Sequence, residues 1–224
     1  MPALPHRPTA SPGVAPVDGA PLDGGPYSLA PALATGVLFV HVPKTGGTSV
    51  ARALYGTEGV GHRTVREVRA ELGRQRADAL FSFAVVRDPV DRAASAYRYL
   101  RAGGSNALDA AFGARVLDEF STFEAFVLGW LTPRTSRVQV HFRPQADFVC
   151  DGGRVAVDRV VPYARLAEGY ARVRAETGVG GPLPHANAGP GPAAAAPPLS
   201  AAARARLREV YAADYDHFDF PDRP

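Results

Sequence analysis

Val37-Leu-Phe-Val-His-Val-Pro-Lys-Thr-Gly-Gly-Thr-Ser49 is the stretch from which the rest of this chain can be read. A continuous apolar run, as expected of a strand buried on both faces, stops at a Gly-Gly turn. A helical pattern over Thr48 to Tyr55 follows at once. Lys44, inside the turn, is the only lysine; all other basic side chains among the 25 are arginine. Lysine carries a compact ammonium on a flexible stem, and arginine does not replace it where one donor must reach one oxygen in a tight loop. Glycines let successive amides face inward, and the helix N-terminus adds partial positive charge. Thr48 and Ser49 add hydroxyls. Lys44, Thr45, Gly46, Gly47, Thr48 and Ser49 all offer donors, so the turn predicts a bound phosphate or sulfate. The order differs from GxxxxGK[ST], because here the lysine precedes the glycines.

A second apolar run, Phe81 to Val86, ends in Arg87-Asp-Pro-Val-Asp-Arg-Ala-Ala-Ser-Ala-Tyr97. Asp88-Pro89 supplies an N-cap and an N1 proline, with Ala93, Ala96, Tyr97 and Leu100 along one helix face. Arg92, Ser95 and Tyr99 also recur at helical spacing. Arg87 stands at the strand end, where arginine can hold a phosphate through two donors and Ser95 can add a third. The competing reading pairs Arg87 with Asp88 or Asp91. A kinase or nucleotide hydrolase usually holds Mg²⁺ with an acidic residue at such a strand end. Arginine does not suit a metal. Two anion sites, one lysine and no metal carboxylate fit a nucleotide with phosphates at both ends of its ribose, and no metal is expected.

The remaining pattern alternates strands with helix pairs. Thr64-Val-Arg-Glu67 and Ser121-Thr-Phe-Glu124 have the form of capping boxes. Val155 to Tyr163 reads as a strand; Leu166, Tyr170 and Val173 mark one later helix, and Leu207, Val210 and Tyr211 another. The expected fold is α/β, a central parallel sheet flanked by helices, with its ligand at the carboxyl ends of the strands. Residues 1–34, rich in Pro and Gly, read as a disordered tail, and 178–198 as a low-complexity linker within one domain spanning 35–224.

Composition bounds the partners. A net charge of +3 and a pI near 9.2 hint at an anionic ligand and fall short of a nucleic-acid footprint. Cys150 is the sole cysteine, which excludes an internal disulfide and a cysteine-based zinc cluster and suits a reducing cytoplasm. No apolar stretch approaches the roughly 18 residues of a transmembrane helix, and the Pro-rich start lacks a signal-peptide pattern. The Ala, Arg, Gly and Pro bias suggests a GC-rich bacterial genome.

Phe39-Val-His-Val-Pro-Lys-Thr-Gly-Gly-Thr-Ser49 and Phe83-Ala-Val-Val-Arg-Asp-Pro-Val-Asp-Arg-Ala-Ala-Ser-Ala-Tyr97 together resemble the PAPS-dependent sulfotransferases. The likeness is to the carbohydrate branch that includes heparan and chondroitin sulfotransferases and many bacterial relatives. Looser similarity runs through His141-Phe-Arg-Pro-Gln145, Leu183-Pro-His-Ala-Asn187 and the ending Tyr211-Ala-Ala-Asp-Tyr-Asp-His-Phe218. The resemblance implies a P-loop NTPase-like three-layer fold. It also implies that Lys44 to Ser49 bind the 5′-phosphosulfate of PAPS, and Arg87 with Ser95 its 3′-phosphate. One departure is Ala164 after Tyr163, where such proteins often carry glutamate.

Sulfuryl transfer needs a base near the sulfur to take the acceptor's proton. His62, in Gly61-His-Arg-Thr64, is the first choice, with a histidine similarly placed in bacterial relatives; His141 is the second. Each also has a plainer role open to it, a solvated loop histidine for His62 and a wall of the acceptor pocket for His141. His41 is expected to pack at the end of a buried strand, Glu58 is a base on sequence proximity alone, and His185 and Asn187 sit in an irregular loop. Two other functions fit the motifs, an atypical P-loop kinase and a nucleotide-binding module without catalysis. The acceptor, a hydroxyl of a sugar, glycolipid or small natural product, is not written in the motifs.

Overall fold

In a computed structural model of the chain, residues 27–57, 59–184 and 196–220 are described. In chain order they form α1 (Ala30–Thr35), β1 (Val37–Val40), α2 (Gly47–Tyr55), α3 (Val65–Leu72), α4 (Arg74–Asp78), β2 (Phe81–Val86) and α5 (Pro89–Arg101). Then come α6 (Ala107–Arg115), α7 (Phe123–Gly129), α8 (Ala146–Val149), β3 (Cys150–Asp151), β4 (Arg154–Val155), β5 (Arg159–Pro162), α9 (Leu166–Thr177), α10 (Ala201–Val210) and α11 (Ala212–His217).

β1, β2 and β5 make a parallel sheet with β2 in the centre, in the register Phe39 to Phe83 and Ala84 to Val160. Successive side chains of a strand point to opposite faces. Leu38, Val40, Ala84 and Val86 therefore pack under α1, α3, α8 and Phe218. Val37, Phe39, Phe83, Val85 and Val161 pack against Val50 and Leu54 of α2 and Leu166, Tyr170 and Val173 of α9. Helices cover both faces. A third core, built from α5, α7 and α10, gathers Tyr97, Leu100, Phe126, Phe142, Leu207 and Tyr211.

The local signals in the sequence mostly form where they stand. Thr64 and Glu67 close their capping box, with Thr64 N donating to Glu67 Oε2 at 2.7 Å and Glu67 N to Thr64 Oγ1 at 3.1 Å. Asp88 Oδ1 caps α5 by accepting from the amides of Val90 and Asp91.

Four expectations are corrected. The ordered fold reaches into the stretch read as tail, because α1 buries Ala32 and Leu29 beside it against β1. The second capping box does not form: Thr122 is the N-cap of α7, and Glu124 instead accepts from the amide of Ser200. The strand expected from Val155 to Tyr163 is split, its start pairing in the β3–β4 hairpin and only Arg159–Pro162 entering the sheet. Asp158 makes the break by accepting from the Ser82 amide and hydroxyl at 2.8 and 2.7 Å. The start of the proposed linker is tied down, Gly181 N donating to Ala53 O at 2.7 Å and Arg174 Nε to Gly180 O at 3.0 Å. The rest of that stretch, from 185 to 195, lies outside the described residues, as do Glu58, His185 and Asn187.

Candidate active site

All three parallel strands end in residues that meet. After β1 comes the turn with Lys44, after β2 comes Arg87, and after β5 comes Tyr163. The Arg87 guanidinium stacks 4.7 Å from the Tyr163 ring centroid and reaches the Lys44 carbonyl at 3.4 Å.

The turn is tightly wound, and its backbone donors are left open. Lys44 adopts φ 68° and Gly46 φ 82°, the left-handed region that glycine favours and lysine seldom enters. Strain of this kind costs about 1–3 kcal/mol and persists only where the surroundings enforce it. Thr45 is fully buried, and its hydroxyl donates to Val42 O at 2.8 Å, bracing the turn from inside. Its hydroxyl is therefore not turned to a ligand. The amides of Thr45, Gly46, Gly47 and Thr48 find no acceptor among the described residues. Unpaired amides at the start of a helix are an anion site in waiting. Thr48 is exposed and Ser49 buried.

Lys44 Nζ lies 3.7 Å from the centroid of Tyr99, with no hydrogen bond or ion pair among the described residues. Burial first, then the nearby Arg87 charge, lowers its pKa to about 8, while Asp109 opposes them. Among the described residues, no carboxylate forms an ion pair with this half-buried ammonium.

Three histidines continue from the lysine. The His41 ring stacks on Phe39 and lies 4.4 Å from the His62 ring, and His62 lies 5.7 Å from His141 by centroids. His62 Nδ1 donates to the His41 carbonyl at 3.0 Å. Tyr99 lies 4.9 Å from His141, which joins the histidines to Lys44. Burial holds all three imidazoles below their ordinary pKa, and His141 falls to about 4. They are neutral near pH 7, the form in which a histidine accepts a proton.

Lys44, Arg87, His62 and His141 are thus brought together. Ser95 is on α5 one turn before Tyr99, half-buried, and makes no hydrogen bond to Arg87 among the described residues. Arg87 forms no salt bridge there either: Asp88 caps α5, and Asp91 accepts from Ala196 N. Arg92, on the same helix, is fully buried and donates to the carbonyls of His141 and Arg143 at 3.0 and 2.7 Å. It holds the 141–145 segment in place.

Sequence reasoning missed the polar groups behind these residues. Gln145 accepts from Arg87 N and donates to Arg87 O, both at 2.8 Å, and donates to Asp214 at 3.2 Å. Asp214, fully buried, also accepts from Ala146 N at 2.8 Å. Gln145 was visible as the end of the His141-Phe-Arg-Pro-Gln145 stretch; no local signal marks Asp214 as its partner. Gln145→Ala leaves both backbone groups of Arg87 without partners, at about 1–3 kcal/mol each. Chemical denaturation should show a loss of at least about 2 kcal/mol; a neutral result contradicts the clamp.

The family model for the sulfotransferase family matches residues 33–221. The chain belongs to the sulfotransferase family. Searches of curated proteins and of solved structures each found no match. No cluster of His, Cys, Asp and Glu among the described residues is arranged to hold a metal ion, and none of their helices is long and apolar enough to cross a membrane.

Proposed function

We propose that this chain moves a sulfuryl group from PAPS to an acceptor hydroxyl, in the cytoplasm of a bacterium, with a carbohydrate or glycoconjugate as acceptor. Four amides and one lysine that find no hydrogen-bond or ion-pair partner among the described residues, beside a buried arginine, are the observation that carries this reading. The strand–turn–helix unit at Lys44 is P-loop NTPase-like in this reading. Lys44 and the amides of Thr45 to Thr48 hold the 5′-phosphosulfate, with Ser49 beside them; Arg87 and Ser95 hold the 3′-phosphate. The acceptor oxygen bonds to sulfur while the bond from sulfur to the phosphate oxygen breaks. Lys44 stabilises the charge that grows on that phosphate oxygen, an interaction strongest in the transition state. A neutral imidazole of the His62 and His141 pair takes the acceptor's proton.

Calorimetric titration with adenosine 3′,5′-bisphosphate tests the donor site. Binding is expected with or without Mg²⁺. No binding, or binding only with Mg²⁺, sinks the reading in favour of a kinase-like site. Binding without transfer of labelled sulfate to any of a panel of hydroxyl acceptors favours a module without catalysis.

The pH dependence has a definite sign. The free site has Lys44 near pKa 8, and anion binding requires the ammonium. Bisphosphate affinity should therefore weaken by roughly tenfold between about pH 7 and about pH 9. A flat profile would mean that Lys44 does not touch the bound anion.

A further inference from the structure

We propose that Asp109 is a positioning residue which, through the side-chain amide of Gln139, holds His141 in the tautomer whose Nε2 is free to accept a proton. The inference rests on the sulfotransfer reading only for what that proton leaves.

Asp109 lies on the first turn of α6 yet is only 3% exposed. One carboxylate oxygen accepts from Tyr99 OH at 3.1 Å, Asn106 Nδ2 at 3.0 Å and Ser105 N at 3.3 Å. The other faces Gln139 Nε2 at 3.4 Å and His141 Nδ1 at 3.6 Å. A carboxylate only accepts, so the amide of Gln139 must turn its nitrogen toward Asp109. Its Oε1 is then committed to His141, 3.2 Å from Nδ1. Reversing the amide would set oxygen against carboxylate. An amide oxygen also only accepts, so the ring proton of His141 belongs on Nδ1 and the lone pair on Nε2. Three side chains in series convert a fixed negative charge into a fixed tautomer.

The same carboxylate also meets the charge that follows. When an acceptor hydroxyl gives its proton to Nε2, its oxygen bonds to sulfur and the bond to the leaving phosphate oxygen breaks. The imidazolium so formed keeps Nδ1–H on Gln139, with Asp109 behind it. The groups facing His141 are Lys44 from the β1 turn, Arg92 and Tyr99 from α5, His62 from the segment before α3 and Asp109 from α6. Asp109 is the anion among them that offsets burial and the surrounding positive charge. His62 has its Nδ1 on a neutral carbonyl instead.

The test uses the full chain with nitrogen-labelled histidine and no ligand. Long-range proton–nitrogen NMR correlations report which ring nitrogen carries the proton, and the His141 signals are those lost in His141→Gln. The wild type should show a single Nδ1–H form; an Nε2–H form overturns the proposal. Asp109→Asn lets the Gln139 amide turn over, so a mixture with a substantial Nε2–H fraction is expected, and Asp109→Glu should restore the single form. Unchanged tautomers in Asp109→Asn overturn the role of Asp109. Should that variant not fold, Gln139→Met breaks the series at its middle and must also produce the mixture. Failure of the wild type to bind bisphosphate would remove the donor reading and leave the tautomer result standing.

Discussion

Lys44→Met is expected to cut sulfuryl transfer by at least about 100-fold and, in the same protein, to raise the melting temperature without ligand. The first effect follows from losing the one cationic donor in a turn whose other donors are neutral. The second follows from the cost of keeping that donor. Its folded pKa of about 8 lies below the ordinary lysine value of 10.5. The unfolded chain then binds the proton more tightly, so the penalty is full below about pH 8 and fades as pH rises toward 10.5. Methionine keeps an unbranched side chain over Tyr99 and removes the charge, at the same left-handed backbone position. Calorimetry near neutral pH should show the gain, shrinking as pH rises. A lower melting temperature would mean that the cation–π contact with Tyr99 outweighs the cost of burying the charge. Lys44→Arg should keep charge yet lose most of the transfer, because its forked donors do not fit so tight a turn.

Gly47→Ala is expected to disable the turn by a different route. A Cβ there would lie 1.8 Å from His41 Nε2 and 2.0 Å from Cδ2. The ring has nowhere to withdraw, with Phe39 stacked on it and His62 beside it. Overpacking of this kind costs about 1–3 kcal/mol, and the turn must shift to relieve it. Bisphosphate affinity should fall by more than about tenfold, and the His62 ring signals should move. Gly56→Ala is the contrast. Unlike Gly47 it has an unfavourable positive φ, 71°, but nothing lies within 4 Å of the added methyl. It should cost about 1 kcal/mol of stability and leave binding alone. Equal binding by both variants would show that the His41–Gly47 contact is slack.

The residues that could be read in advance are those whose reason is local. Lys44, the two glycines, Thr64 with Glu67 and Asp88 with Pro89 act within a few residues of themselves. A strand run followed by a turn places Lys44 and Arg87 on one sheet edge without any knowledge of the rest. Asp214 and Asp109 could not be read this way. Each sits in a helix where an acid is ordinary, and each takes a side-chain partner, Gln145 or Gln139, from a distant part of the chain. Likewise Val155 to Tyr163 looked like one strand because apolar spacing does not reveal that Asp158 is claimed by Ser82 on the neighbouring strand. Serine at 121 and threonine at 122 are both good caps; the choice between them fell to Thr122, whose hydroxyl accepts from Ala125 N.

Arg92 makes no hydrogen bond to the Lys44 turn among the described residues, yet it bears on both halves of the site. By gripping the carbonyls of His141 and Arg143, it ties the segment ending in Gln145 to α5, the helix that also carries Tyr99. Gln145 in turn grips Arg87 by its backbone. The segment therefore carries a histidine at one end and an arginine mount at the other, each end held by hydrogen bonds. Loss of Arg92 would therefore loosen, by one change, both the histidine and the mount of the arginine.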